Sequence, residues 1–297
     1  MPRRSRVALG LVLVVLAGFQ GSAEPRAPEG LLGTFDWNMR NPAFGGISAI
    51  EVAEDGQSFW ALGDKGVLLG GTFLRDAGGQ ITEVIPGKIK PLRDAKSGKR
   101  LAGRKANAEG LAVTPSGQAF VSFEISTRVA RLDLESAEVR VLPLAKQFEN
   151  LPENKSLEAL AAAAGPTLYA VPENPTGDVL PVYRWTKRGW NDQMALPRRG
   201  RFLPVAADIG PDGRFYLLER DFRAIAGFAS RLRRFDLGTS QLSNEITLFE
   251  TSLALHDNLE GLSIWRDEAG HLRATMVSDD NFMFLQQTQI VEYRLPD

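Results

Sequence analysis

The chain has 297 residues, 43% of them apolar and 24% charged, with a formal net charge of −1, two histidines and no cysteine. That length holds one large domain or two ordinary ones, and the composition is that of a soluble globular protein. Disulfides, Cys-ligated zinc, iron–sulfur clusters and thiol nucleophiles are excluded, two histidines leave little room for a multi-His metal site, and the near-neutral charge argues against a general nucleic-acid binder.

Residues 1–23 read as a secretory signal. Residues 1–6 are basic, 7–19 form an uncharged and mostly apolar run, and Gly21-Ser-Ala23 places small residues at a cleavage site before Glu24. The run is short for a membrane span, although an uncleaved anchor is the alternative, and Arg3-Arg4 raises a twin-arginine route. Loss of the three arginines in this segment takes the net charge from −1 to −4. The expectation is a periplasmic or secreted protein, one domain over residues 24–297, with no stable membrane insertion after cleavage.

From there the chain repeats a hairpin. Gly46-Ile-Ser-Ala-Ile50 turns at Asp55-Gly56, and Glu109-Gly-Leu-Ala-Val113 turns at Pro115-Ser-Gly117. Glu158-Ala-Leu-Ala161 turns at Gly165-Pro166, Val205-Ala-Ala-Asp-Ile209 at Pro211-Asp-Gly213, and Glu260-Gly-Leu-Ser-Ile264 at Glu268-Ala-Gly270. β-rich runs flanking such turn residues are hairpin signals. Each hairpin is followed by another strand-like run, at 67–74, 129–134, 180–185, 230–237 and 289–295. A period of about 40–50 residues built from short strands is the mark of a propeller. The fold expected is all-β, a β-propeller of five mostly four-stranded antiparallel blades, or six if residues 76–105 hide a degenerate one. Residues 31–37 would complete the last blade and leave no open sheet edge. A solenoid is the rival topology, but no polar capping repeat is visible. Residues 159–164 are alanine-rich and helical by propensity; their place in the repeat makes them a strand.

Hairpin arithmetic, counted outward from each turn, pairs Glu109 with Glu124, Glu158 with Glu173 and Glu260 with Asp279. It places Asp64 opposite Ile47 and Glu219 opposite Ala206. All these acids fall at the open ends of the hairpins, which in a propeller ring one face of the central channel. The expected ring is Asp64, Glu109, Glu124, Glu158, Glu173, Glu219, Glu260 and Asp279, with Asp221 and Asp280 beside it. Crowded carboxylates repel and resist desolvation, so the cluster calls for a cation. Oxygen-only donors select hard ions, Ca²⁺ ahead of Mg²⁺ or Mn²⁺, with Asn107, Asn258 and Asn281 as further carbonyl donors. Any single acid can instead cap its strand or pair with a nearby Arg or Lys.

Several of these motifs together resemble the phytase-like ("esterase-like activity of phytase") family. They are Gly45-Gly-Ile-Ser-Ala-Ile50 with Leu62-Gly-Asp-Lys-Gly66, Asn107-Ala-Glu-Gly-Leu-Ala112, Ser156-Leu-Glu-Ala-Leu-Ala161, Leu218-Glu-Arg-Asp221, Asn258-Leu-Glu-Gly-Leu-Ser263 and Val277-Ser-Asp-Asp-Asn-Phe282. The resemblance spans roughly residues 30–296 and implies an exported bacterial protein that hydrolyses phosphoesters. It carries over to Asp64, Glu109, Glu124, Glu158, Glu219, Asp221, Glu260, Asp279 and Asp280. Phe123 precedes Glu124 where an acidic pair is frequent, and Ser278 stands where Asn is common; both depart from a complete metal site. The activity is ascribed to the family by analogy with propeller phytases.

Ser48 and Ser263 begin nucleophile-elbow motifs that lack the closing glycine and lie within strands, which argues against a serine triad. His256 reads as a solvated loop residue beside the acidic face, and His271 as structural. Eight basic residues between Lys88 and Lys105 oppose only Asp94. Their end, Arg104 and Lys105, leads into Glu109 and is a candidate phosphate contact, as are Arg220 and Arg223; a solvated basic loop is the alternative. The expected function is a calcium-dependent phosphoester hydrolase acting on a small phosphorylated substrate. Asp64, Glu124, Glu158, Glu219, Asp221, Asp279 and Asp280 would serve as metal ligands, and Glu109 or Glu260 as catalytic base. A non-catalytic binding propeller with structural calcium and a calcium-dependent lactonase are the alternatives.

Overall fold

The computed structural model describes residues 27–296 except 153–155, 166 and 174–176, so the secretory segment expected at 1–23 lies outside the described residues. Among those described, no helix is long and apolar enough to cross a membrane.

β1 (Leu31–Asp36) precedes the first complete blade, β2 (Ile47–Val52), β3 (Ser58–Gly63), β4 (Val67–Arg75) and β5 (Ile81–Pro91). A short edge strand, β6 (Arg93–Asp94), leads to the second blade, β7 (Ala108–Val113), β8 (Ala119–Phe123), β9 (Arg128–Leu132) and β10 (Glu138–Val141). The third is β11 (Leu157–Ala163), β12 (Thr167–Pro172), β13 (Val179–Thr186) and β14 (Gly189–Pro197). The fourth is β15 (Leu203–Ile209), β16 (Phe215–Phe222), β17 (Phe228–Leu237) and β18 (Leu242–Glu250). The fifth holds β19 (Leu259–Arg266), β20 (Leu272–Ser278) and β21 (Gln289–Arg294), and β1 pairs antiparallel with β21 to complete it. The chain is thus a five-bladed β-propeller closed by joining its first and last strands in one sheet. Residues 76–105 form no sixth blade. They supply β5 to the first blade and β6, which runs parallel to β10, to the second.

The five inner strands, β2, β7, β11, β15 and β19, each touch the next around the axis. Five apolar clusters fill the gaps between successive blades. Ala49, Leu62 and Leu68 meet Val121 and Phe123 between the first and second, while Trp37, Phe59 and Phe73 meet Trp265 and Ile290 between the first and the fifth. Crowding at the axis favours small side chains, which is why the alanines of β11 form a strand: Ala159, Ala161 and Ala162 are buried where a larger residue would push neighbouring strands apart. A glycine with positive φ closes each inner hairpin, at Gly56, Gly117, Gly165, Gly213 and Gly270.

Every inner strand carries one extra residue. The register of pairing slips at Ser48 in β2, at Glu109-Gly110 in β7, at Glu158 in β11, at Val205 in β15 and at Glu260 in β19. In the second to fifth blades the turn already sets the pairing one residue off the count, as with Val113 opposite Ala119, and the bulge displaces it by one more. In the first blade the bulge alone does so. Glu124 lies opposite Asn107 rather than Glu109, Glu173 opposite Ser156, Asp279 opposite Asn258 and Asp64 opposite Gly46, each donating its backbone N–H to that partner's carbonyl. In the fourth blade, Glu219 faces Pro204 instead of Ala206, and Arg220 faces Leu203.

At the turn end of the channel, side chains tie inner strands together. The Val113 N–H donates to the Glu51 carboxylate (2.8 Å), Ile264 N–H to Asp208 (2.6 Å) and Val52 N–H to Ser263 Oγ (2.9 Å). Burial pushes the Asp208 carboxyl up to about 7, and burial together with the charge of Asp208 holds Glu51 well above the usual carboxylate range. A carboxyl with a raised folded pKa binds its proton more tightly folded than unfolded, so its contribution falls as pH rises from about 4 through 7. Asp208→Asn should therefore lower the unfolding temperature, because one of two backbone N–H groups loses its acceptor. It should also flatten the decline between pH 4 and 7 by up to about 1.4 kcal/mol per pH unit. Thermal unfolding of both proteins across that range checks both effects.

Candidate functional site: an acidic mouth with one central arginine

The bulges bring Ser48, Glu109, Glu158, Val205 and Glu260 to equivalent positions around the axis, so three of five inner strands present a glutamate there. One step outward, just past the paired ends of the second strands, stand Asp64, Glu124, Glu173, Arg220 and Asp279. All of these except Ser48 and Val205 line a cavity of about 1270 Å³ on the face opposite the hairpin turns. Beneath it, between Ser48, Glu109, Gly110, Glu158 and Val205, only about 10 Å³ remains, space for no more than a single water. The channel is a funnel with a closed floor.

The sequence around each glutamate explains its placement. In Asn107-Ala-Glu-Gly-Leu111 and Asn258-Leu-Glu-Gly-Leu262, the Asn amide donates to the Glu two residues later, Asn107 to Glu109 at 2.5 Å and Asn258 to Glu260 at 2.8 Å. Asn107 also donates to Glu124 (2.9 Å). The following glycine permits the close approach of the next inner strand: a Cβ on Gly110 would lie 2.7 Å from the Glu158 carbonyl oxygen, and one on Gly261 3.0 Å from the Ala49 Cα. Both leucines enter the core between blades.

Charge is unevenly balanced across the mouth. Arg220 donates to Glu173 (2.8 Å), to Glu260 and to Asn258 Oδ1 (2.6 Å), linking the third and fifth blades from the fourth. Burial opposes its charge, yet the carboxylates of Glu260, Glu173 and Glu158 hold it more firmly protonated than an ordinary arginine. On the other side, burial first and the repulsion of Glu158, Glu260, Glu124 and Asp64 next hold Glu109 well above the usual carboxylate range. Glu158 is raised in the same way by burial, Glu260, Glu124 and Glu173, with Arg220 opposing. Burial and Glu260 push Asp279 up to about 9, and burial brings Asp64 to about 6 against the pull of Lys65. Asp64 Oδ1 is buried without a hydrogen-bond partner.

The remaining expected residues lie elsewhere or do other work. Glu219 is fully buried away from the mouth, held by Arg231 (2.8 Å) and Arg233 (2.6 Å); it lies opposite Pro204, one residue short of the ring position, which Arg220 takes opposite Leu203. Asp280 accepts from the Gly46 and Phe282 N–H groups and the Thr288 hydroxyl, and ties the 280–288 loop to the first blade. Asp221 lines the rim and pairs with Arg201 and Arg223. Arg223 itself, Arg104 and Lys105 are not among the cavity-lining residues. The basic segment before residue 106 is mostly consumed in β5, β6 and the turn that joins them to the second blade. His256 is buried instead of solvated, its Nε2 2.8 Å from the Tyr293 hydroxyl, and burial pushes its pKa down to about 4. Arg198 and Arg201 line the cavity although the reading of the sequence passed over them; the basic run Arg198-Arg-Gly-Arg201 just before β15 was the available signal.

The donor set, all carboxylate and amide oxygen, suits a hard cation. Among the described residues, no three of these side chains already converge as a coordination sphere. The unpaired Asp64 oxygen and the crowded Glu109, Glu158 and Asp279 carboxyls are what a bound cation would satisfy, whereas the Arg220 side already has its countercharge.

The fold and this mouth define a five-bladed propeller with a carboxylate-lined funnel. The family model for "Phytase-like: Esterase-like activity of phytase" matches residues 42–282, and the chain belongs to that family. No curated protein matches it. Among solved structures, virginiamycin B lyase from Staphylococcus aureus is 14% identical, with 89% of this chain and 75% of that one covered and a TM-score of 0.42. The PQQ-bound aldose sugar dehydrogenase from Streptomyces coelicolor is 8% identical, covering 88% and 98%, with a TM-score of 0.44. These likenesses are too distant to bear on the chemistry of the mouth.

Two substitutions separate structural from site carboxylates. Glu219→Gln takes the shared buried carboxylate from Arg231 and Arg233, leaving them only Glu250 and Glu245, and should cost about 3 kcal/mol of stability. Glu158→Gln removes one of several mutually repelling carboxyls and should leave the unfolding temperature in EDTA unchanged or higher. Urea and thermal unfolding of the two variants beside the parent protein check the opposite signs.

Proposed function

We propose that the protein is an exported, calcium-dependent phosphoester hydrolase whose reaction takes place in the carboxylate-lined funnel. The observation that carries this reading is the division of the mouth. Asp64, Glu109, Glu124, Glu158 and Asp279, from the first, second, third and fifth blades, make no arginine ion pair among the described contacts, while Arg220, Arg198 and Arg201 come from the fourth blade and the segment that leads into it. Calcium held by the acidic side would supply the neutralisation of phosphate charge and the acidification of water that such chemistry needs.

The chain's own residues then have distinct tasks. Asp64, Glu124, Glu158 and Asp279 offer the oxygens for the ion. Glu109, kept protonated by burial and by its neighbours, is placed to give a proton to the leaving oxygen. Glu260, oriented by Arg220 and Asn258, is placed to take one from water. Arg198, Arg201 and the charged end of Arg220 would offset the phosphate oxygens. Residues 1–23 would act as a cleaved export signal; the exported protein should then begin at Glu24, as read by intact mass.

A second reading, a non-catalytic binding propeller, is favoured by the arginine fork that already bridges Glu173 and Glu260 at the centre of the mouth. Thermal unfolding of EDTA-stripped protein, titrated with Ca²⁺ and then Mg²⁺, should show a calcium-selective rise. Its size should be about 2.7 kcal/mol at a hundredfold excess over the dissociation constant. Phosphomonoester and diester hydrolysis should require that ion and fall by about 10²-fold or more in Glu109→Gln/Glu260→Gln with the fold intact. A calcium shift without hydrolysis would leave the binding propeller, and hydrolysis of lactones alone would move the assignment to a lactonase.

A further inference from the structure

Arg220 differs from the other four ring residues in how its backbone is held. Asp64, Glu124, Glu173 and Asp279 each stand one residue beyond the end of their strand. β16 continues to Phe222, and Arg220 sits inside its ladder, opposite Leu203 on one side and Ser230 on the other. Two further pairs with β17 lie beyond it, Asp221 with Ala229 and Phe222 with Phe228. The guanidinium is therefore carried on a paired strand, and its planar fork reaches both neighbouring blades at once.

What the fork meets is a set of oxygens. Nη2 donates to Glu173 Oε1 of the third blade (2.8 Å), and Nη1 donates to the Glu260 carboxylate and to Asn258 Oδ1 (2.6 Å) at the start of the fifth. The Asn258 amide nitrogen donates to Glu260 (2.8 Å), which leaves its oxygen facing the positive charge. Glu173 and Asn258 are buried, and Arg220 itself is 18% exposed. The charge of Glu158 acts on the same guanidinium. Two carboxylates and an amide oxygen are donors that a hard cation selects, and here a guanidinium already stands among them. Fixed to a paired strand, it cannot be lost by dilution or chelation. In the first blade, by contrast, Asp64 Oδ1 is buried without a hydrogen-bond partner.

We propose that Arg220 takes the place of one divalent cation: its guanidinium permanently fills a cation site made by Glu173, Glu260 and Asn258, so that calcium enters only at the carboxyls Arg220 does not reach. The inference rests on the reading of this mouth as a cation site. A phosphate in the funnel would then meet one fixed and one exchangeable positive centre, and the fixed one is independent of the calcium concentration.

Equilibrium dialysis with radioactive calcium counts the ions bound to the full chain. Arg220→Met keeps the length of the stem without its charge or donors, and should bind one calcium ion more than the parent protein. Arg220→Lys, which keeps the charge, should bind the parent number. So should Arg201→Met, which removes the same charge from the rim of the same mouth and so separates vacated oxygens from a general gain in negative charge. An unchanged count in Arg220→Met, or an equal gain in either control, would overturn the proposal. If Arg220→Met is unfolded in EDTA by circular dichroism, calcium should refold it with the additional ion bound. Failure to refold at saturating calcium would overturn the proposal too, because the guanidinium would then do what an ion cannot. The parent count is a separate result: a parent that binds no calcium defeats the calcium-dependent reading, while a gain of one ion in Arg220→Met still upholds the site that Arg220 fills.

Discussion

Five inner strands converge on one axis, and the crowding there governs much of the rest. Small side chains and glycines let neighbouring strands approach, as at Gly110, Gly261 and the alanines of β11. Larger apolar residues are displaced outward into the five interblade clusters, where the burial that holds the blades together takes place. The chain cannot leave those strands straight and uniform, because each contains one extra residue near its open end. The bulge moves a side chain out of the alternating pattern and toward the axis. In three blades that side chain is a glutamate, so the device that shapes the channel also loads its mouth with charge.

Charge in that mouth is then settled locally, blade by blade. The fourth blade contributes a guanidinium where the first, second, third and fifth contribute a carboxyl, and Arg220 draws Glu173 and Glu260 into one hydrogen-bonded group with Asn258. Low solvent access makes such a group strong when complete and costly when broken. Glu109 and Asp279 are buried without a guanidinium partner, and Glu158 feels Arg220 only against the repulsion of three glutamates, so the pKa of each is raised. Crowded carboxyls whose ionised forms are disfavoured by burial and by one another are the groups a cation would relieve, which connects the architecture to the proposed chemistry through ordinary electrostatics.

Much of this was legible in the residues. Repeated turns with glycine, the spacing of the strand runs and the spare run at 31–37 gave the five blades and their closure, and the recurrence of acids at the open ends gave the acidic mouth. Glu109, Glu124, Glu158, Glu260, Asp64 and Asp279 do meet there. Glu219 does not: in each blade the ring residue lies opposite the one two places before the bulge, and in the fourth blade that residue is Arg220, opposite Leu203, with Glu219 one position short of it. Arg198 and Arg201 escaped notice because they precede a strand instead of ending one. The basic run before residue 106 looked available for phosphate because its neighbours in sequence are near the mouth, whereas its backbone is occupied at the outer blade edges.

The sequence by itself determined the period, the strand identities and the acidic character of one face, because alternation, turn chemistry and repetition are local properties of the chain. Only the tertiary structure decided which carboxyls share a site and which are spent on ion pairs. Those outcomes depend on bulges that rotate side chains by one position, on guanidinium groups arriving from another blade, and on the desolvation that results when five strands close around a common axis.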